Sequence, residues 1–420
     1  MALTLLVSHS VANGSQPRPV DEQQVQQSGI RRVESRHLVL FTDLPPSPEI
    51  DELPKVFDQA FPQWCEFFGR SPAAGDAWQM HAFLMANRDR FARAGLLPAE
   101  LPTFRNGFSW NADLWLIEQP AAYYRRHLLL HEGTHGFMNA ALGNCGPPWF
   151  MEGLAEFLAT HSWVDGKLVL GYFPKAREEV DHWGRIKLVR EAIAAGRRRT
   201  IDELLALEPQ TQLDNENYAW CWALATLLNG VPRYHARLHE QIADVRRNDF
   251  NGRFRDRFRA DWNDLADDWQ VFTTNLVYGD DVPRAAIEFA PGSPLLDKRA
   301  EVSIAADRLW QSSRVQLQAG KRYRLRASGR YTIAAGPPVW WCEPGGVSIR
   351  YHNAHPLGML LAVVRPDQLS RTSAFIAPAP VGLETVLVPE ATGTLYLSVN
   401  DSPAELADNR GSVNVEVIEE

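Results

Sequence analysis

At Pro291-Gly292-Ser293-Pro294 the periodicity of the sequence changes, and the change restricts the chain to folds with two differently built parts. Before it, apolar residues recur at helical spacing, as in Leu53, Val56, Phe57, Ala60, Phe61, Trp64 and Phe68, which mark one face of a helix over 51–68. After it come short β-type runs at 314–317, 322–328, 347–351, 360–364, 385–388, 394–399 and 412–418, separated throughout by turn residues. Seven such runs in about 125 residues predict a β-sandwich. The stretch 283–294, which ends in the Pro-Gly-Ser-Pro turn, reads as the linker between the parts.

Strand-type runs at 37–42, 81–85 and 108–117 predict a small sheet early in the first part. Pro120 suits the first residue of a helix running to Gly143, and Pro148 suits the first residue of the next. Later helices are marked by the capping-box pattern Thr200-Ile201-Asp202-Glu203 and by the apolar run 218–228. Phe250, Phe254 and Phe258 fall four apart, so the arginines among them read as the solvated face of a helix with a buried Phe stripe. A net charge of −8 over 420 residues disfavours nucleic acid and anionic membrane as partners. Residues 291–420 are neutral, with 13 basic and 13 acidic side chains, so the charge belongs to 1–290. No stretch approaches the ~20 apolar residues of a membrane span.

Residues 1–30 read as a leader. Ala2 to Val7 is apolar, Ser10-Val11-Ala12 has the small-x-small form of a signal cleavage site, and 13–30 reads as a flexible lead-in with nothing to bury. The usual positive n-region is missing, so an ordinary chain start stays open beside export to an extracellular or periplasmic location. Cys65, Cys145, Cys221 and Cys342 have neither C-x-x-C spacing nor the density of a stapled scaffold, and leave the redox compartment open.

The predicted helix over 120–143 contains His131-Glu132-Gly133-Thr134-His135, an H-E-x-x-H pattern that chance supplies only about 0.02 times in such a composition. Residues four apart on a helix are separated by ~6 Å of rise and face nearly the same way, so both imidazoles can meet one ion. Glu132 points to the side, where it can take a proton from water. A catalytic zinc needs a third protein donor and one open position. After the turn over 143–148, Glu152 stands in the first turn of the next helix and Glu156 one turn on; an antiparallel return would bring Glu152 back to the imidazoles.

H-E-x-x-H followed by a turn and Trp149-x-x-Glu152-Gly153-x-Ala155-Glu156 resembles the gluzincin, or peptidase MA-like, zinc metallopeptidases over residues 123–160. The resemblance implies an α+β zincin-like domain over 31–290, mostly helical with a small N-terminal sheet, that hydrolyses peptide bonds in a peptide or protein substrate. It implies His131, His135 and Glu152 as Zn²⁺ ligands, Glu132 as general base, and Glu156 as the residue that orients a ligand. Tyr218 resembles in position the tyrosine that hydrogen-bonds the oxyanion, and also reads as an ordinary core-helix start. His127, one turn before His131, reads either as a residue that supports a ligand or as an ordinary partly buried side chain, and His161 likewise; ligation by them is disfavoured because the ligand set is already full.

Near the end, Asn400-Asp401-Ser402-Pro403-Ala404-Glu405-Leu406-Ala407-Asp408-Asn409-Arg410-Gly411-Ser412 clusters oxygen donors between two strands, which suits Ca²⁺. The run resembles the last loop of the calcium-dependent galactophilic lectins and implies, for 291–420, a lectin-like or jelly-roll-like β-sandwich. On that resemblance Asp401, Asp408 and Asn409 would be side-chain ligands, with the Glu405 carbonyl as another. The stretch that contacts sugar in those lectins has no counterpart here, so the glycan ligand is left open, and an Asx-rich turn closed by its own side chains is the plainer reading. A different-class alternative makes the whole chain a surface or carbohydrate-binding protein that retains a structural metal site.

Overall fold

The computed structural model describes residues 16–75, 77–208, 214–368 and 370–420, so the apolar run and cleavage pattern at 2–12 lie outside the described residues. The chain divides into two compact units. One comprises residues up to Leu188 with Asp202–Thr226 and His235–Asp256; the other comprises Val189–Ile201, Leu227–Tyr234 and Arg257–Glu420.

The first unit is built on a five-stranded sheet of β1 (Arg31–Glu34), β2 (Leu38–Thr42), β3 (Met80–Met85), β4 (Gly107–Trp110) and β5 (Asp113–Ile117), in the order β1-β2-β3-β5-β4. Strands β2, β3 and β5 run parallel, and β2 is buried along its whole length, as a strand covered on both faces must be. The expected single strand over 108–117 is instead a hairpin. Asn111, at φ 58°, turns the chain so that Trp110 pairs with Asp113, and asparagine is one of the few residues that adopts this backbone readily. The hairpin makes β4 the edge of the sheet.

A second correction concerns the lead-in. Glu22–Gln27 is a short helix, α1, capped by Asp21, whose carboxylate accepts from the Gln24 amide at 3.1 Å. Val25 and Ile30 are buried against Phe41, Phe83 and Trp115. Two apolar side chains in an otherwise polar stretch suffice to dock it, which a composition average does not register.

Helix α2 (Leu53–Phe67) buries the expected face. Helix α3 (Ala122–Leu142) starts two residues after Pro120 and ends at Gly143, and it packs on α2, β4 and β5. Its residues 127–138 are buried without a break, so it is a central helix rather than a surface one. Helix α4 (Pro148–Ala159) begins with its proline where the missing amide costs nothing, and packs along α3. Helices α5 (Arg185–Ala194) and α6 (Asn215–Gly230) follow. In the helix Phe250–Phe258 all three phenylalanines of the stripe are buried.

The second unit is β-rich with several sheets. One orders Ala379–Pro380, Leu360–Pro366, Gly393–Val399, Gln311–Leu317 and Ser293–Pro294; another orders Glu384–Leu387, Tyr323–Ser328, Ser412–Glu419 and Arg299–Ala305. Leu317, Leu360, Leu395 and Leu397 from the first share one core with Leu325, Val413, Val415 and Val417 from the second. Alternate residues of Ser412–Glu419 are buried, the period a strand with one inward face requires. The stretch expected as a linker is ordered: Val282–Ala285 is helical, Ile287 is buried, and Ser293–Pro294 pairs in parallel with Val315–Gln316. Among the described residues no helix is long and apolar enough to cross a membrane.

Candidate metal centre

His131 and His135 lie one turn apart on the buried side of α3, and their Nε2 atoms face each other at 3.1 Å. Across from them stands Glu152 on α4, with Oε2 at 3.2 Å from His131 Nε2 and 3.3 Å from His135 Nε2. Three donors about 3.3 Å apart form one face of the tetrahedron that ligands about 2.0 Å from a single ion present. Glu152 Oε2 is buried and, the two imidazoles apart, has no polar partner among the described residues. The donor set, two imidazoles and a carboxylate, is one that holds a transition metal, and the arrangement could hold a metal ion.

The electrostatics favour positive charge at this point. Burial raises the Glu152 pKa, but His135 and His131 outweigh it and hold the carboxyl at about 2. Burial likewise pulls the His131 pKa down, and Glu152 and Glu156 more than reverse that, lifting it to about 9. Glu132, next to His131 in sequence and also buried, has its pKa raised by burial, with His131 and His135 opposing.

Glu156 lies one turn beyond Glu152 and organises the surroundings. Its Oε1 is 3.3 Å from His131 Nδ1, the ring atom opposite the one that faces Glu152. Arg185, the first residue of α5, donates from Nε to Oε2 and from Nη2 to Oε1, each at 2.9 Å. Burial would raise the Glu156 pKa, but Arg185 and then His127 drive it well below the usual carboxylate range. The carboxylate so held lies beside His131 Nδ1. His127 departs from the partly buried alternative: it is fully buried, with Nε2 3.2 Å from Glu156 Oε2 and Nδ1 3.0 Å from the Ala159 carbonyl. His127, His131 and Glu156 also converge, but a cation there would face the Arg185 guanidinium. His161 is likewise buried rather than partly so, and it stacks on Tyr123 with ring centroids 4.5 Å apart.

Tyr218 comes from α6, with its ring 5.9 Å from that of His131 in an edge-on arrangement. The residue after Glu152 explains how α6 reaches the site. A Cβ at Gly153 would lie 2.8 Å from the Cys221 carbonyl oxygen, so only glycine permits this approach of α4 to α6. Burial, then Glu152, raise the Tyr218 pKa, which keeps its hydroxyl a donor.

Arg185 escaped the sequence reading. Its one hint is its position: a cation at the first residue of a helix has the wrong sign for the helix dipole, which calls for a compensating anion nearby.

In the β-rich unit, Asp401 and Asn409 come together. Asp401 Oδ2 accepts from Asn409 Nδ2 at 2.8 Å and Oδ1 from the Ser402 amide at 2.7 Å, and burial pushes the Asp401 carboxyl up to about 6. Asp408 Oδ2 accepts from the Ala335 amide at 3.1 Å, and the Glu405 side chain pairs with Arg350 at 2.8 and 2.9 Å. Asp408 Oδ1 and Asn409 Oδ1 are buried and have no hydrogen-bond partner among the described residues.

No protein-family profile matches the chain, and no curated protein matches it. Among solved structures it is similar to one described as "EclA N-terminal domain; PllA-like lectin", at 23% identity over 30% of this chain and 100% of that one, with a TM-score of 0.23.

Proposed function

We propose that the chain is a zinc-dependent peptidase of gluzincin type whose β-rich unit is a lectin-like accessory module. The observation that carries this reading is the convergence of His131 Nε2, His135 Nε2 and Glu152 Oε2 within 3.1–3.3 Å of one another beside Glu132. A structural zinc closes its tetrahedron with protein ligands, whereas three donors leave a position open, and this favours catalysis over the non-catalytic alternative. Zinc held by these three residues would supply a Lewis acid for the scissile carbonyl and lower the pKa of water toward ~7.

The rest of the chemistry falls to the chain. Glu132 takes the proton of the attacking water and passes it to the leaving amine, and burial, by raising its pKa, moves it toward the range suited to both tasks. Tyr218 is the donor for the developing oxyanion. Arg185 and Glu156 hold the His131 ring in place. The reading is tested by peptide cleavage before and after chelation: cleavage that depends on zinc supports it, and cleavage indifferent to metal sinks it.

For the loop over 400–412 we propose a Ca²⁺ site of Asp401, Asp408, Asn409 and the Glu405 carbonyl. Two buried oxygens without partners, Asp408 Oδ1 and Asn409 Oδ1, support an ion over a self-closed turn. Exposed Tyr351 offers an apolar ring to a glycan on the same unit, whereas Arg330 lies over the ring of exposed Trp341 at 4.9 Å. With zinc held constant, calcium should raise the melting temperature of the full-length protein and leave Asp401→Ala unaffected. Identical melts of the unsubstituted protein with and without calcium would favour the ion-free turn.

A further inference from the structure

We propose that Gly107 is a positioning residue for Glu132; the proposal rests on the peptidase reading above. Gly107 opens β4, the edge strand on which α3 packs, and pairs with Leu116 of β5. A Cβ built on it would lie 2.6 Å from Glu132 Oε1, 2.9 Å from Glu132 Cγ and 2.9 Å from Leu128 Cδ1. Leu128 and Glu132 stand one turn apart on α3, so the strand main chain at 107 closes one side of the space that the Glu132 carboxylate occupies. Gly107 is not among the residues with positive φ, so its backbone would admit alanine. The position requires glycine because of the side chains of Glu132, nearest at its carboxylate, and of Leu128, not because of the chain path.

The consequence is specific. Non-bonded carbon and oxygen atoms sit about 3.5 Å apart, so an alanine methyl at 107 must displace the Glu132 carboxylate by about 1 Å. A base works within about 2.6–3.2 Å of its proton, and a misplacement of about 1 Å costs about 100-fold in rate. None of the three nearest contacts belongs to His131, His135 or Glu152, so the expected displacement falls first on Glu132 and Leu128.

The test uses the full-length, zinc-loaded protein with Gly107→Ala, measuring kcat, KM and zinc content. Gly107→Ala should lower kcat about 100-fold with KM and zinc content unchanged. Wild-type kcat in Gly107→Ala would overturn the proposal while the peptidase reading stood. Absence of zinc-dependent hydrolysis in the unsubstituted protein would overturn both. Melting temperature reads the contact independently of activity: Gly107→Ala should lower it more in the wild type than in a Glu132→Ala background, where only the Leu128 contact at 2.9 Å remains. Equal losses in both backgrounds would count against the contact.

Discussion

Glu132→Gln should keep one zinc ion per chain and lose peptide hydrolysis by about 10²–10⁴-fold. The three donor atoms belong to His131, His135 and Glu152, so the substitution removes no ligand. Glutamine has the shape of glutamate and fits the same space against Gly107. Burial already disfavours the charged carboxylate at 132, so the neutral amide should not destabilise the fold. What is lost is the group that accepts the proton from water, an interaction that strengthens only as the reaction proceeds, so kcat falls and KM does not. Turnover within a few-fold of wild type would show that Glu132 is not the base.

Glu156→Ala should cost about 3–5 kcal/mol of stability, the second large effect. The side chains of Glu156 and Arg185 are 3% and 5% exposed, so water does not screen their pairing or replace it once broken. Removing the carboxylate leaves a buried guanidinium without its two 2.9 Å acceptors, and His127 without its carboxylate neighbour. The same change releases His131 Nδ1, and zinc affinity should fall by about 10–100-fold. Denaturant unfolding and zinc titration read the two effects separately. A loss below about 1 kcal/mol would mean that the pair is open to solvent.

The donor triangle was legible in the sequence for a local reason. Spacing of four puts His131 and His135 on one side of a helix, and Gly143 and Pro148 mark the stop and the restart that send Glu152 back toward them. Strands with one buried face, such as Tyr323–Ser328 and Ser412–Glu419, were legible for the same reason. The features that escaped depend on contacts distant in sequence. Arg185 acquires its role from Glu156, 29 positions earlier, and Gly107 from Glu132 across a strand–helix contact. The hairpin at Asn111 was hidden because its two strands join without a Gly or Pro between them. Short segments such as Trp340–Cys342 and His355–Leu357 fall below the length at which alternation is informative.

The most direct measurement is the cleavage of a peptide library by the full-length protein, read by mass spectrometry, in three states: zinc-loaded, chelated and reloaded with zinc. Cleavage by the loaded protein, its loss on chelation and its return with zinc are the predicted results. A loaded protein that cleaves nothing, or cleavage that survives removal of the metal, would contradict the assignment of His131, His135 and Glu152 as the ligands of a catalytic zinc.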